Sequence, residues 1–239
     1  MPTRTFVLLH GAWHGGWCFR PVAARLRAAG HLVFTPTQTG LGERRHLLSR
    51  DLTIETFIRD LTGVIESEEL SDIILVGHSF GGIAVSGAAD RMPERIRHLV
   101  YLDSLILEDG ASPMDRYPPG VAEERRRIAR ETSDGLSAPV PDPKEFGVPP
   151  GPVADWLRRR MTPHPMSVFE SRLRLKNPVG NGLPRTYVAC TAPAQARLAP
   201  SWAWVHGRPG WTWRELAACH DAIATDPDAL TDLLLDCAR

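Results

Sequence analysis

At 239 residues, with 28 Lys and Arg balancing 28 Asp and Glu, the chain is sized for a single α/β domain carrying an insertion. That balance leaves no surplus charge for nucleic acid or an anionic membrane surface, and no apolar run is long enough to span a bilayer, so a soluble, cytoplasmic protein is expected. The four cysteines (Cys18, Cys190, Cys219, Cys237) lack metal-ligand spacing and lie in apolar surroundings, which predicts buried, reduced thiols.

Thr5-Phe6-Val7-Leu8-Leu9 fits a strand buried on both faces, as a parallel sheet between helix layers requires. It runs into His10-Gly11-Ala12-Trp13-His14-Gly15-Gly16-Trp17, a glycine-dense loop that lets backbone approach a ligand closely, with the Ala12 N–H as a candidate oxyanion donor. His10 and His14 are expected to fix this loop through hydrogen bonds. Arg20 to Ala29 has a helical pattern closed by Gly30, followed by a strand over His31 to Pro36 and a polar loop, Thr39 to Arg44, expected to form a wall of a site. Thr53 to Glu66 repeats the helical pattern.

Ile73-Ile74-Leu75-Val76-Gly77-His78-Ser79-Phe80-Gly81-Gly82 is the stretch that decides the reading. An apolar strand breaks into Gly-x-Ser-x-Gly and continues as a small-residue helix, the context of a nucleophile elbow. A β-carbon at Gly77 or Gly81 would clash where strand and helix backbones meet, the turn lifts the Ser79 hydroxyl clear of the sheet, and the Phe80 N–H faces the same space as a second oxyanion donor. The pattern alone is common; its strand-turn-helix context makes it informative.

Ile96 to Leu102 predicts another parallel strand, ending at Asp103. From about 105 to 185 the composition changes to clustered prolines, charge runs and amphipathic segments such as Val153 to Met161, which predicts an inserted cap. The run Arg158-Arg159-Arg160 reads as a solvated helix face. A strand over Arg185 to Thr191, a helix near Ser201 to Val205, a strand over Thr212 to Leu216 and a final helix, Pro227 to Cys237, complete the α/β alternation, with His220 between the last strand and that helix.

With Ser79 on an elbow, the His10-Gly11 loop before it and His220 near the C-terminus, the chain resembles the α/β-hydrolase superfamily over its whole length. His10 to Trp17, Gly77 to Gly82, Pro36 to Arg44 and Thr162-Pro163-His164-Pro165 look like the branch of plant methylesterases, hydroxynitrile lyases and their bacterial esterase relatives. The resemblance implies an α/β-hydrolase fold with a mostly parallel sheet, helices on both faces and a helical cap. It also implies Ser79 as nucleophile, His220 as general base and acid, and the Ala12 and Phe80 amides as oxyanion hole. Hydroxynitrile lyases of this branch carry threonine and lysine where this chain has Gly11 and Asp221, which disfavours cyanohydrin cleavage. The family's usual triad acid is missing, because Thr191-Ala192-Pro193-Ala194-Gln195 holds no carboxylate. Some relatives take the acid from the strand after the elbow, where Asp103 stands; a helix- or turn-capping role is the alternative.

The expected chemistry is serine-dependent hydrolysis of a small hydrophobic carboxylic ester, which implies no metal or organic cofactor. Gly11, Trp13, His78, Leu105 and Trp156 are the substrate-binding candidates, with Phe169 and Trp202 as further apolar ones. A non-hydrolytic small-molecule binding protein and a biosynthetic lyase or cyclase remain alternatives on the same fold, and a homodimer stays open.

Overall fold

The computed structural model describes residues 2–238. Its first half alternates strand and helix: β1 (Thr5–Leu9), α1 (Arg20–Ala28), β2 (Leu32–Phe34), α2 (Ile54–Ser67), β3 (Ile73–His78), α3 (Gly81–Arg91) and β4 (Ile96–Leu102). Between β4 and the next strand of the main sheet lie α4 (Pro119–Ser133), β5 (Ser137–Ala138), α5 (Pro152–Arg160), β6 (His164–Pro165) and α6 (Met166–Glu170), with β5 and β6 pairing antiparallel. The chain then returns through β7 (Arg185–Cys190), α7 (Ala199–Val205), β8 (Thr212–Leu216), α8 (Ala222–Thr225) and α9 (Pro227–Cys237).

Among the described residues, six strands form one sheet in the order β2-β1-β3-β4-β7-β8, and every pairing is parallel. Strands β1, β3 and β7 are buried almost throughout, as their continuous apolar runs require when both faces are covered. Helices α1 and α9 pack together, as do α2 and α3, flanking the sheet. A capping box at Thr53 and Thr56 starts α2, whose Phe57, Ile58, Leu61 and Ile65 form its buried stripe.

One expectation needs correction. β2 is three residues long, not six: it lies at the sheet edge, pairs only with β1, and exposes 56 % of Leu32. The Glu123 to Arg127 charge run lies inside a 15-residue helix, α4, held on its outer face by Arg127 pairing with Glu124 and Glu131. Among the described residues no helix is long and apolar enough to cross a membrane.

Parallel strands direct their carboxyl ends to one rim of the sheet, where sites of this class are built. Ala12 follows β1, Ser79 follows β3, Asp103 follows β4 and His220 follows β8, so one rim receives groups from four strands.

Candidate active site

Ser79 has φ of 53°, the left-handed conformation of a strained elbow, and its N–H donates to Leu102 O at 3.0 Å. The strand and helix that flank it touch through backbone. A Cβ on Gly77 would stand 2.8 Å from Gly82 Cα, and one on Gly81 would stand 2.6 Å from the His10 carbonyl oxygen. Ser104 Oγ donates to the Gly77 carbonyl and Leu105 N–H donates to Ser79 O at 3.1 Å, so the chain after β4 clasps the elbow from one side.

Ser79 Oγ stands 2.9 Å from His220 Nε2, and His220 Nδ1 stands 2.6 Å from Asp103 Oδ2. These partners assign the tautomer: Nδ1–H donates to the carboxylate and Nε2 accepts from the hydroxyl. Register explains the meeting, because His78 lies opposite Leu102 on the neighbouring strand, which makes Ser79 and Asp103 the next residues out of adjacent strands. Asp103 is fully buried, has φ of 43°, and receives the Cys190 N–H and the Trp202 Nε1–H on Oδ1, each at 3.3 Å. Three donors on one carboxylate hold its second oxygen in place for the imidazole.

Ala12 and Phe80 share a cavity with Ser79, and among the described residues neither backbone N–H donates to another protein group. The same cavity is lined by Trp13, Leu105, Phe169 and Leu198 and by the polar groups of Arg116, Tyr117 and Arg197. The expected Trp13, Leu105 and Phe169 therefore lie beside Ser79. Four other expected residues do not line this cavity. Gly11 lies beneath the elbow, where an added Cβ would stand 2.7 Å from Ser79 Cβ. His78 points behind the His220 imidazole, its Nε2 donating to His220 O at 2.9 Å. Trp156 meets Trp17 edge to face at 4.9 Å, outside the cavity, and Trp202 is turned to Asp103. The Thr39 to Arg44 loop is likewise no wall; its Gly42 N–H donates to Thr162 Oγ1 at 3.0 Å, joining the core to the 105–185 segment.

A buried ionisable layer behind Ser79, His220 and Asp103 was not legible as such in the sequence. His14 Nε2 faces Asp221 Oδ2 at 3.4 Å, a charge contact more than a close hydrogen bond, and both side chains are fully enclosed. Burial alone would lower the His14 pKa, but the Asp221 carboxylate and the Ala12 carbonyl, which accepts from Nδ1 at 2.8 Å, outweigh it and raise the value. Burial alone would raise Asp221; the facing His14 instead holds it at about 2. His78, by contrast, is pushed well below the ordinary histidine value by burial and by His220. His10 is lowered to about 3, chiefly by burial, and is a neutral clamp: Nδ1 donates to Gly11 O at 2.8 Å and Nε2 accepts the Gln38 N–H at 3.1 Å. His78, His220 and Asp221 do bring ligand atoms within 4.8 Å of one another, yet both His220 nitrogens and His78 Nε2 are already engaged, so the set does not fit a metal ion. The available signal was the pairing of a second histidine in the first loop with a carboxylate directly after His220.

A serine on an elbow, an imidazole and a carboxylate from the rim of a parallel sheet define the hydrolase class of α/β proteins. The chain belongs to the alpha/beta hydrolase family, whose model matches residues 6–233. It is 40 % identical over 237 residues to a carbendazim hydrolyzing esterase of Nocardioides sp. (strain SG-4G), covering 96 % of this chain and 97 % of that one. It is 29 % identical over 201 residues to methylesterase 1 of Arabidopsis thaliana, covering 77 % and 76 % of the two chains. Among solved structures it resembles an extracellular alpha/beta-hydrolase from a Paenibacillus species, described as sharing structural and functional homology with tobacco salicylic acid binding protein 2. That match has a TM-score of 0.85 and 25 % identity, and covers 99 % of each chain.

Proposed function

We propose that this protein hydrolyses small, largely hydrophobic carboxylic esters through an acyl-enzyme on Ser79. The observation that carries the reading is the continuous relay from Ser79 Oγ to His220 at 2.9 Å and on to Asp103 at 2.6 Å, opening into a cavity with two unspent backbone donors. His220 Nε2 takes the hydroxyl proton as Oγ attacks the ester carbonyl, and the negative oxygen settles on the Ala12 and Phe80 N–H groups. The imidazolium returns that proton to the departing alcohol. Water, deprotonated by the same nitrogen, then attacks the acyl-enzyme and releases the acid. Asp103 keeps the imidazole in the productive tautomer and stabilises its charged form.

The esterase named among its relatives supports hydrolysis as the reaction. Apolar Trp13, Leu105, Phe169 and Leu198 around Ser79 support a hydrophobic substrate body. All four thiols are free, the state a reducing compartment maintains, which supports a cytoplasmic setting.

The test is a fluorophosphonate probe with a panel of short-chain and aryl esters. One adduct on the Ser79 peptide, ester turnover, and loss of both in Ser79→Ala are expected. Ester turnover that survives Ser79→Ala would overturn the reading, as would cyanide release from mandelonitrile matching the best ester rate.

A further inference from the structure

Two arginines line the cavity over Ser79 and a third stands next to it, none of them in an ion pair among the described residues. Arg116 and Arg197 line it, and Arg125 stands in an adjoining cleft that shares Trp13 and Arg197 with it. Elsewhere on this charge-balanced chain arginines are paired freely, as Arg127 is with two glutamates. The two carboxylates of the adjoining cleft are committed elsewhere: Glu124 pairs with Arg127, and Glu145 Oε1 accepts the Asp142 N–H at 3.2 Å.

Each arginine also leaves a donor unused. Arg197 Nη2 is sealed from solvent with no hydrogen-bond partner, and its guanidinium lies 4.9 Å from the Phe146 ring. Arg116 donates through Nη2 to Ile106 O at 2.7 Å while its buried Nε has no partner. Arg125 lies over Tyr117 at 4.8 Å and Phe169 at 5.0 Å, again with Nε buried and unpartnered. Aromatic faces offset part of the cost of burying a cation, but they accept no directional hydrogen bond from these N–H groups. Burial pulls Arg197 below the ordinary guanidinium value, the response of a desolvated cation that lacks a close counter-charge.

We propose that Arg197 and Arg116 form a carboxylate-recognition subsite beside Ser79. The preferred substrates are then esters whose far end carries a carboxylate, such as half-esters of dicarboxylic acids, with Arg125 in the adjoining cleft adding to the positive field. This rests on the esterase reading and narrows its substrate class. A planar guanidinium fork suits a carboxylate, and an anion placed beside these two cavity-lining cations compensates their buried charge. The apolar side chains of the same cavity, Trp13, Leu105, Phe169 and Leu198, take the linking carbons.

The experiment compares kcat/KM for the monomethyl and dimethyl esters of succinate, glutarate and adipate. In the wild type at least one half-ester is favoured over its neutral diester by tenfold or more, chiefly through KM, and the preference weakens with added salt. Arg197→Gln lowers that ratio at least tenfold, and Arg197→Lys, which keeps a cation, restores part of it. Equal or greater turnover of every diester, or a ratio unchanged in Arg197→Gln, overturns the subsite. Calorimetric titration of glutarate into Ser79→Ala reads the subsite without chemistry. Binding that disappears in the Ser79→Ala/Arg197→Gln double variant supports it even if no ester is turned over, an outcome that would sink the esterase reading alone. Absence of binding in Ser79→Ala overturns it.

Discussion

Asp103 is held by Trp202 and Cys190 on one oxygen so that the other meets His220, which makes it the sharpest single-residue test of the relay. Asp103→Asn keeps the size and can still accept from those donors, yet its amide cannot hold the imidazole in the same tautomer. Turnover is expected to fall by about 10⁴-fold, with a melting temperature close to wild type. Near-normal kcat in this variant would leave Ser79 and His220 acting without it. The buried His14 and Asp221 pair predicts a pH signature in stability. Because the His14 value is raised above 6.5 on folding, its contribution is complete below 6.5 and fades as pH rises through the folded value. Because Asp221 is lowered from 3.8 to about 2, its contribution is present above 3.8 and is lost as pH falls toward 2. The stability deficit of His14→Gln should therefore be greatest between about pH 4 and 6.5 and shrink on the alkaline side. Thermal melts across that range check it, and a deficit that grows with alkalinity would contradict the charge pair. Sequence reveals which side chains have the right chemistry but not where they point. Gly77-His78-Ser79 gave the elbow, since a backbone constraint is written in the glycines, whereas His78, Trp156 and Trp202 were equally plausible pocket residues until tertiary packing turned each away from it.

At the scale of elements, the elbow is a contact between two backbones. A methyl group on Gly77 would meet Gly82 Cα and Val85 Cγ2, both at 2.8 Å, and one on Gly81 would meet the Leu9 and His10 carbonyl oxygens at 2.8 and 2.6 Å. Backbone cannot rotate away as a side chain can. Gly77→Ala and Gly81→Ala should each cost about 1–3 kcal/mol or more in chemical unfolding, and each should lower kcat further by displacing Ser79. Unchanged stability in both would mean that strand and helix separate more readily than these distances allow. The buried strands were legible because parallel strands read as unbroken apolar runs. The pattern was silent on α4: only Ala122 and Ala129 of its 15 residues are buried, so the helix rests on its proline start and side-chain ion pairs and presents no apolar stripe. The two-residue strands β5 and β6 are likewise set by tertiary context.

At the scale of the whole molecule, the open matter is whether the 105–185 segment is a separate body or part of one folding unit. The first loop is threaded into that segment. Thr162 N–H donates to Trp13 O at 2.9 Å, Trp13 Nε1–H donates to Ala138 O at 3.3 Å, and Gly42 N–H donates to Thr162 Oγ1. The Trp13 ring lies among Phe146, His164 and Phe169, all from that segment, and it is 95 % shielded, with 5 % exposed. Phe80, from the elbow itself, packs on His164 at 4.8 Å and on Phe169 at 5.2 Å. The residues of the 105–185 segment that line the cavity over Ser79 thus share one apolar core with Trp13 of the first loop and Phe80 of the elbow. An interface so buried cannot open without exposing aromatic surface worth several kcal/mol, on the order of 25 cal/mol per Å². We therefore expect one cooperative unfolding transition, with equal calorimetric and van't Hoff enthalpies and coincident near-UV and far-UV melts. Trp13→Ala should lower the midpoint of that single transition, by about 3–5 kcal/mol in stability, without splitting it. Two resolved transitions in the wild type, or a protease fragment of the 105–185 segment that stays folded after excision, would show that the cap is a domain of its own.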